Sequence, residues 1–85
     1  MRYTIIWESS ATETLKRLRQ RDGEAVRPLV QAINNLATNP EPPESSKLGG
    51  TNNRRLRVGD YRAMYQIDGE RIAVKVLTVG STPLR

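Results

Sequence analysis

Two short alternating runs joined through Gly59-Asp60 dictate most of what this 85-residue chain can fold into. Before the turn, Leu56 and Val58 alternate with Arg55 and Arg57. After it, Tyr61, Ala63, Tyr65 and Ile67 alternate with Arg62, Met64, Gln66 and Asp68. Successive side chains of a strand point to opposite faces, so each run has one apolar and one polar side. The pattern predicts an antiparallel hairpin over residues 54–66 that buries one face and leaves a cationic one in water. A guanidinium offers planar, paired N–H donors to phosphate or carboxylate. Arg54, Arg55, Arg57 and Arg62 in one hairpin therefore predict an anion-binding surface.

The remaining chain supplies the layers that such a hairpin needs. Tyr3, Ile5 and Trp7 alternate with Thr4, Ile6 and Glu8, which predicts a short first strand. Ser9 and Ser10 then offer helix N-caps, with Glu13 at capping-box spacing from Ser10. Ala11, Leu15 and Leu18 form one helical stripe, with Lys16, Arg17, Arg19 and Arg21 on a solvated face, and Asp22-Gly23 ends this helix. A second helix is predicted over residues 24–37 from the spacing of Val26, Leu29, Val30, Ile33, Leu36 and Ala37, with Pro28 tolerated in its first turn. The second helix, being more apolar, is expected to lie on the sheet. Residues 39–46, rich in proline, read as a stiff polar connector, and residues 47–50 as a loop. Asp68-Gly69 predicts another tight hairpin turn, followed by a β-branched last strand over residues 71–79 and a short tail. The expected order is β-α-α-β-β-β in one domain over residues 1–85. It is an α+β fold of two layers, with an N-terminal helical hairpin packed on a mainly antiparallel four-stranded sheet, the first strand at an edge. The helices cover one sheet face, and the other stays open for the arginines.

Composition narrows the chemistry. There is no cysteine and no histidine, which removes disulfides and thiolate ligands and argues against a zinc site. No metal or other cofactor is expected. Without histidine no side chain has an ordinary pKa near 7, so catalysis would rest on charge stabilisation or on a shifted group. Such a surface is compatible with RNA cleavage, because the attacking 2′-hydroxyl belongs to the substrate. Tyr61 and Tyr65 are open to base stacking, proton handling or a core role. The net charge of +5 points to a polyanionic or acidic partner. No run approaches the roughly 18 apolar residues of a membrane span, so no membrane partner is expected and a cytoplasmic location is.

Lys47-Leu48 with Gly50, then Leu56-Arg57-Val58-Gly59-Asp60-Tyr61-Arg62-Ala63-Met64-Tyr65, then Val76-Leu77-Thr78-Val79-Gly80, resembles the RelE/ParE superfamily of bacterial type II toxins across essentially the whole chain. The resemblance implies a RelE-like fold and, for RelE-like members, a metal-free endoribonuclease that cuts mRNA in the ribosomal A site. ParE-like members on the same fold inhibit DNA gyrase. Either is neutralised by a cognate antitoxin that wraps the toxin, with operator DNA met only through the antitoxin. By position, Arg62 matches the family's central catalytic arginine, and Arg55 and Arg57 match basic residues of the preceding strand. Lys47 matches a family lysine and, placed in a loop, is expected to contact ribosomal RNA; Arg54, Tyr61 and Arg71 are further candidates for RNA or ribosome contact, with solvated surface the alternative for Arg54 and Arg71.

The chain departs from the pattern at its end. RelE-like sequences follow the final Val-Gly with an arginine or histidine and then a tyrosine. Here Ser81, Thr82, Pro83 and Leu84 stand there, and Arg85 is the remaining candidate for the missing charge. Three readings stay open: a ribosome-dependent mRNA endoribonuclease, a non-enzymatic gyrase inhibitor, and a degenerate homologue that only binds its antitoxin.

Overall fold

The computed structural model describes residues 2–50 and 52–81. Its elements are β1 (Thr4–Trp7), α1 (Ser9–Asn35), β2 (Ser45–Lys47), β3 (Asn53–Val58), β4 (Tyr61–Asp68) and β5 (Ala73–Ser81). The strands form one mixed sheet in the order β1-β5-β4-β3-β2. Only β1 and β5 run parallel, and the other pairings are antiparallel. The expected two-layer α+β architecture and the edge position of the first strand are found. The strand and helix counts differ.

The extra strand is β2, three residues of the expected connector and loop. Ser-Ser-Lys has no β-branched or aromatic side chain to announce a strand. It exists because β3 offers it a partner, with Ser45 opposite Leu56 and Lys47 opposite Arg54. The expected helical pair is a single helical stretch broken only at Asp22, whose φ of −161° and ψ of 86° are extended. The Asp22 Oδ1 accepts the backbone N–H of Ala25 at 3.2 Å, an N-cap that restarts the helix at once. Pro28 therefore falls inside the helix rather than in its first turn. The N-cap of α1 is Glu8, with no side-chain capping bond. Ser10 does not cap; its hydroxyl donates to the Leu77 carbonyl at 3.3 Å and ties the helix start to β5.

Both halves of α1 pack on the sheet. Ala11, Leu15 and Leu18 from the first half and Val26, Leu29 and Ile33 from the second are buried with Leu56, Ala63, Tyr65, Val74, Val76 and Val79. Lys16, Arg17, Arg19 and Arg21 are exposed on the other side of the helix. The first hairpin turns at Gly59, whose φ of 59° suits the first central position of a two-residue loop. The second connection is not the expected Asp68-Gly69 turn. Asp68 pairs with Ala73, so residues 69–72 form a four-residue loop, and Ile72 closes it at φ 51°. The last strand consequently starts later than expected and runs through Gly80 to Ser81.

One irregularity sets the faces of β5. Tyr65 pairs with Val76 and Met64 with Thr78, leaving Leu77 without a partner. This bulge shifts the alternation, so Val76 and Val79 are both buried on the helix side, while Thr78 and Gly80 share the opposite face with Met64 and Arg62. Tyr65 is fully buried, and its hydroxyl donates to the Pro40 carbonyl at 2.6 Å, pinning the proline-rich connector to the core. Replacing Tyr65 by Phe should lower unfolding free energy by about 1 kcal/mol, with an unchanged urea m-value in equilibrium denaturation.

Candidate anion-binding face

The face of the sheet away from α1 is where three of the arginines meet. Arg57 on β3 lies directly opposite Arg62 on β4, and Arg62 in turn lies opposite Gly80 on β5. One step along, Arg55 faces Met64 and Met64 faces Thr78. Directly opposed residues bring their Cβ atoms within roughly 4.5–5.5 Å, and like charges so placed repel. Arg55 sits two residues from Arg57, roughly 7 Å along the strand, and on the same face. All three arginines are exposed. Among the described residues none of the three forms an ion pair. Asp68 is held by Arg71 at 3.8 Å, and Asp60 in the turn forms no ion pair with a described residue.

The other candidates fall elsewhere. Arg54 is on the covered face with Leu56, and its side chain is only 15% exposed. Its Nε donates to the Ser45 hydroxyl at 3.0 Å, and its Nη1 lies 3.8 Å from a Glu41 carboxylate oxygen. It fastens β2 and the connector to the sheet instead of joining the open face. Lys47, expected in a loop, ends strand β2 opposite Arg54. Lys47 and Arg54 line a cleft of about 660 Å³ together with Glu41, Asp68 and Glu70, at the sheet end far from Gly59. Arg71 is in the loop beside that end, its backbone N–H donating to Asp68 Oδ1 at 3.2 Å. Tyr61 faces α1, half-buried, in a smaller cleft of about 280 Å³ shared with Leu18, Arg21, Asp22 and Ser81. Arg85 lies outside the described residues.

The sequence therefore located the arginines Arg55, Arg57 and Arg62 and their common face, but not what surrounds them. Met64, Thr78 and Gly80 complete the surface, and the bulge at Leu77 is what puts the last two there. A signal was present: Thr78-Val79 breaks the strict alternation of Val74 and Val76. Arrays of unneutralised guanidiniums, with Lys75 opposite Gln66 further along the same face, can grip a dianionic or polyanionic group through several N–H donors at once. They cannot accept a proton, because arginine stays charged.

A family model described as ParE toxin of the type II toxin–antitoxin system parDE matches residues 5–82. The chain belongs to the ParE toxin family. It is thus a toxin of a type II toxin–antitoxin system, and its fold is that of RelE toxins. No curated protein matches the chain significantly. Among solved structures, the isolated RelE toxin of E. coli superposes with a TM-score of 0.83 at 18% identity, covering 98% of this chain and 87% of that one. The archaeal RelE–RelB complex from Pyrococcus horikoshii OT3 gives 0.83 at 24%, covering all of both chains. The RelBE2 toxin–antitoxin complex from Mycobacterium tuberculosis gives 0.73 at 26%, covering 95% and 99%.

The opposed Arg57–Arg62 pair has a consequence for stability that the ParE-family fold makes testable. Arg57→Gln removes the repulsion and should stabilise the free protein by about 0.2–1 kcal/mol, a rise of a few degrees in Tm at low salt. Screening shortens the reach of the charges, so the gain should shrink in about 0.5 M NaCl. Thermal unfolding at the two salt concentrations checks both.

Proposed function

We propose that this ParE-family toxin is a ribosome-dependent endoribonuclease that cleaves mRNA in the A site. The observation that carries the reading is the Arg57–Arg62 pair with Arg55 beside it on an open sheet face, three guanidiniums without a carboxylate partner among the described residues. Cleavage of RNA needs no metal and no enzymic nucleophile. The 2′-oxygen bonds to the adjacent phosphorus, the bond to the 5′-oxygen breaks, and the proton leaving the 2′-hydroxyl ends on that 5′-oxygen. Negative charge grows on the non-bridging phosphate oxygens, and Arg62 stabilises it, with Arg57 and Arg55 gripping the same and the neighbouring phosphate. DNA has no 2′-hydroxyl and is not a substrate of this route. Arg85 is the candidate after Gly80 for the added charge, since Ser81 and Thr82 carry none.

A cognate antitoxin is the expected protein partner. RelBE2 and the archaeal RelE–RelB relative are both toxin–antitoxin complexes. A basic face of this kind attracts an acidic segment, whether or not the toxin also cuts RNA. The cytoplasm, where ribosomes and message are found, is the expected site of action. No helix among the described residues is long and apolar enough to cross a membrane.

A second reading is favoured by the family match itself, which is to ParE: inhibition of DNA gyrase without catalysis. The two separate cleanly in vitro. On programmed ribosomes, wild-type protein should cut message in the A site, and Arg62→Ala should cut about 100- to 1,000-fold more slowly. In a supercoiling assay the same wild-type preparation should leave gyrase activity unchanged. Absence of cutting together with inhibited supercoiling would replace the first reading with the second. Absence of both would leave a toxin fold that only binds its antitoxin.

A further inference from the structure

Gly80 occupies a position in β5 for which the described residues give no reason. A glycine inside a strand costs roughly 0.5–1 kcal/mol relative to alanine, so it normally marks a turn, a bulge or a close approach of backbones. None of these applies. Its φ is not in the left-handed region, where only Gly49 and Gly59 among the glycines lie. The bulge of β5 falls at Leu77, three residues earlier, and Gly80 itself is in regular register with Arg62. A Cβ built on Gly80 would meet no atom of the described residues within 4 Å. The residue is bare on a side where there is room.

That side is the anion-binding face. The row across the sheet reads Arg57, Arg62, Gly80, so the glycine leaves an open floor immediately beside two unpartnered guanidiniums. The bulge at Leu77 brings it there; without that shift in register the residue facing Arg62 on this side would be a different one. We infer that Gly80 is the seat of the RNA backbone, the place where the sugar and scissile phosphate lie flat against strand β5 while Arg57 and Arg62 reach them from the neighbouring strands. This rests on the proposed RNA-cleaving reading and adds to it a residue that acts by having no side chain. A β-branched residue there would put methyl groups beside the Arg62 stem, within the roughly 5 Å that separates cross-strand neighbours, and fill the floor.

The test exploits the fact that the fold and the ligand want opposite things. Gly80→Val should fold and be as stable as wild type or more so, because valine suits a strand and loses less backbone freedom on folding. Binding of a single-stranded RNA oligonucleotide, 2′-O-methylated so that it cannot be cut, should weaken by about tenfold or more, and by less in Gly80→Ala. Titrations followed through the Arg57 and Arg62 side-chain Nε–H resonances give the Kd, and thermal unfolding gives the stability. A marked loss of stability in Gly80→Val would overturn the inference, since the fold would then be what needs glycine. Wild type and Gly80→Val binding the oligonucleotide equally would overturn the seat while leaving the RNA reading intact. No binding by wild type would overturn the seat, and cutting on programmed ribosomes then decides the RNA reading by itself. An equal weakening toward an oligoglutamate peptide of matched charge would overturn RNA as the occupant.

Discussion

The burial of one sheet face against a single broken helix governs the rest of the structure. An 85-residue chain buries only roughly 60–65% of its unfolded surface, so it can afford one core and one covered face. Leu15, Leu18, Val26, Leu29 and Ile33 from α1 meet Leu56, Tyr65, Val74, Val76 and Val79 from three strands. The helix keeps both halves on the sheet although Asp22 leaves helical geometry, because the Asp22 carboxylate satisfies the Ala25 N–H and the second half restarts without a loop. Once that face is dry, the period of two forces Arg55, Arg57 and Arg62 to the other side. The cationic surface is thus a by-product of core formation in position, though not in composition.

What could be read from residues alone follows from this division. Alternation over residues 55–67 has one strong solution, and the structure adopts it, because slipping the register by one would bury arginines. The features that resisted are those fixed by tertiary pairing. Strand β2 is made by its neighbour rather than by its own side chains. The bulge at Leu77 shows in the sequence only as the break in alternation at Thr78-Val79, and its place is fixed by the pairing of β5 with β4. The helical break at Asp22 was legible as a breaker but not as a cap that lets the helix resume. Arg54 is the instructive failure. Next to Arg55 in sequence, it points the opposite way, and there it meets Ser45 and Glu41.

The same residue type therefore has two fates in one strand. Arg54 holds a connector, and its guanidinium is largely removed from water with its donors engaged. Arg57 faces another arginine with nothing to neutralise it. Local choices in a sequence that folds well usually agree with the global fold, and conflicts gather where function demands them. Here they gather on one face: an opposed like-charge pair and a glycine inside a strand, side by side, in a protein whose other described arginine–carboxylate pairs, at Arg27, Arg54 and Arg71, are satisfied.

That face also limits how its owner could cut RNA. Guanidiniums stabilise charge but neither take nor give a proton at working pH, and the chain has no histidine to do so. Tyr65 is committed to the Pro40 carbonyl, and Tyr61 faces the helix, so neither phenol is on the arginine side among the described residues. On the proposed reading the surface therefore supplies transition-state charge stabilisation, while alignment of the 2′-hydroxyl with the leaving oxygen comes from whatever holds the message. Orientation of that kind is a large part of the barrier for in-line attack, and a flexible single strand on a flat, open face does not have it. A ribosome that fixes the codon would provide what the toxin's own face lacks, which gives a physical reason for an arginine-only site to act on message only where the message is already held.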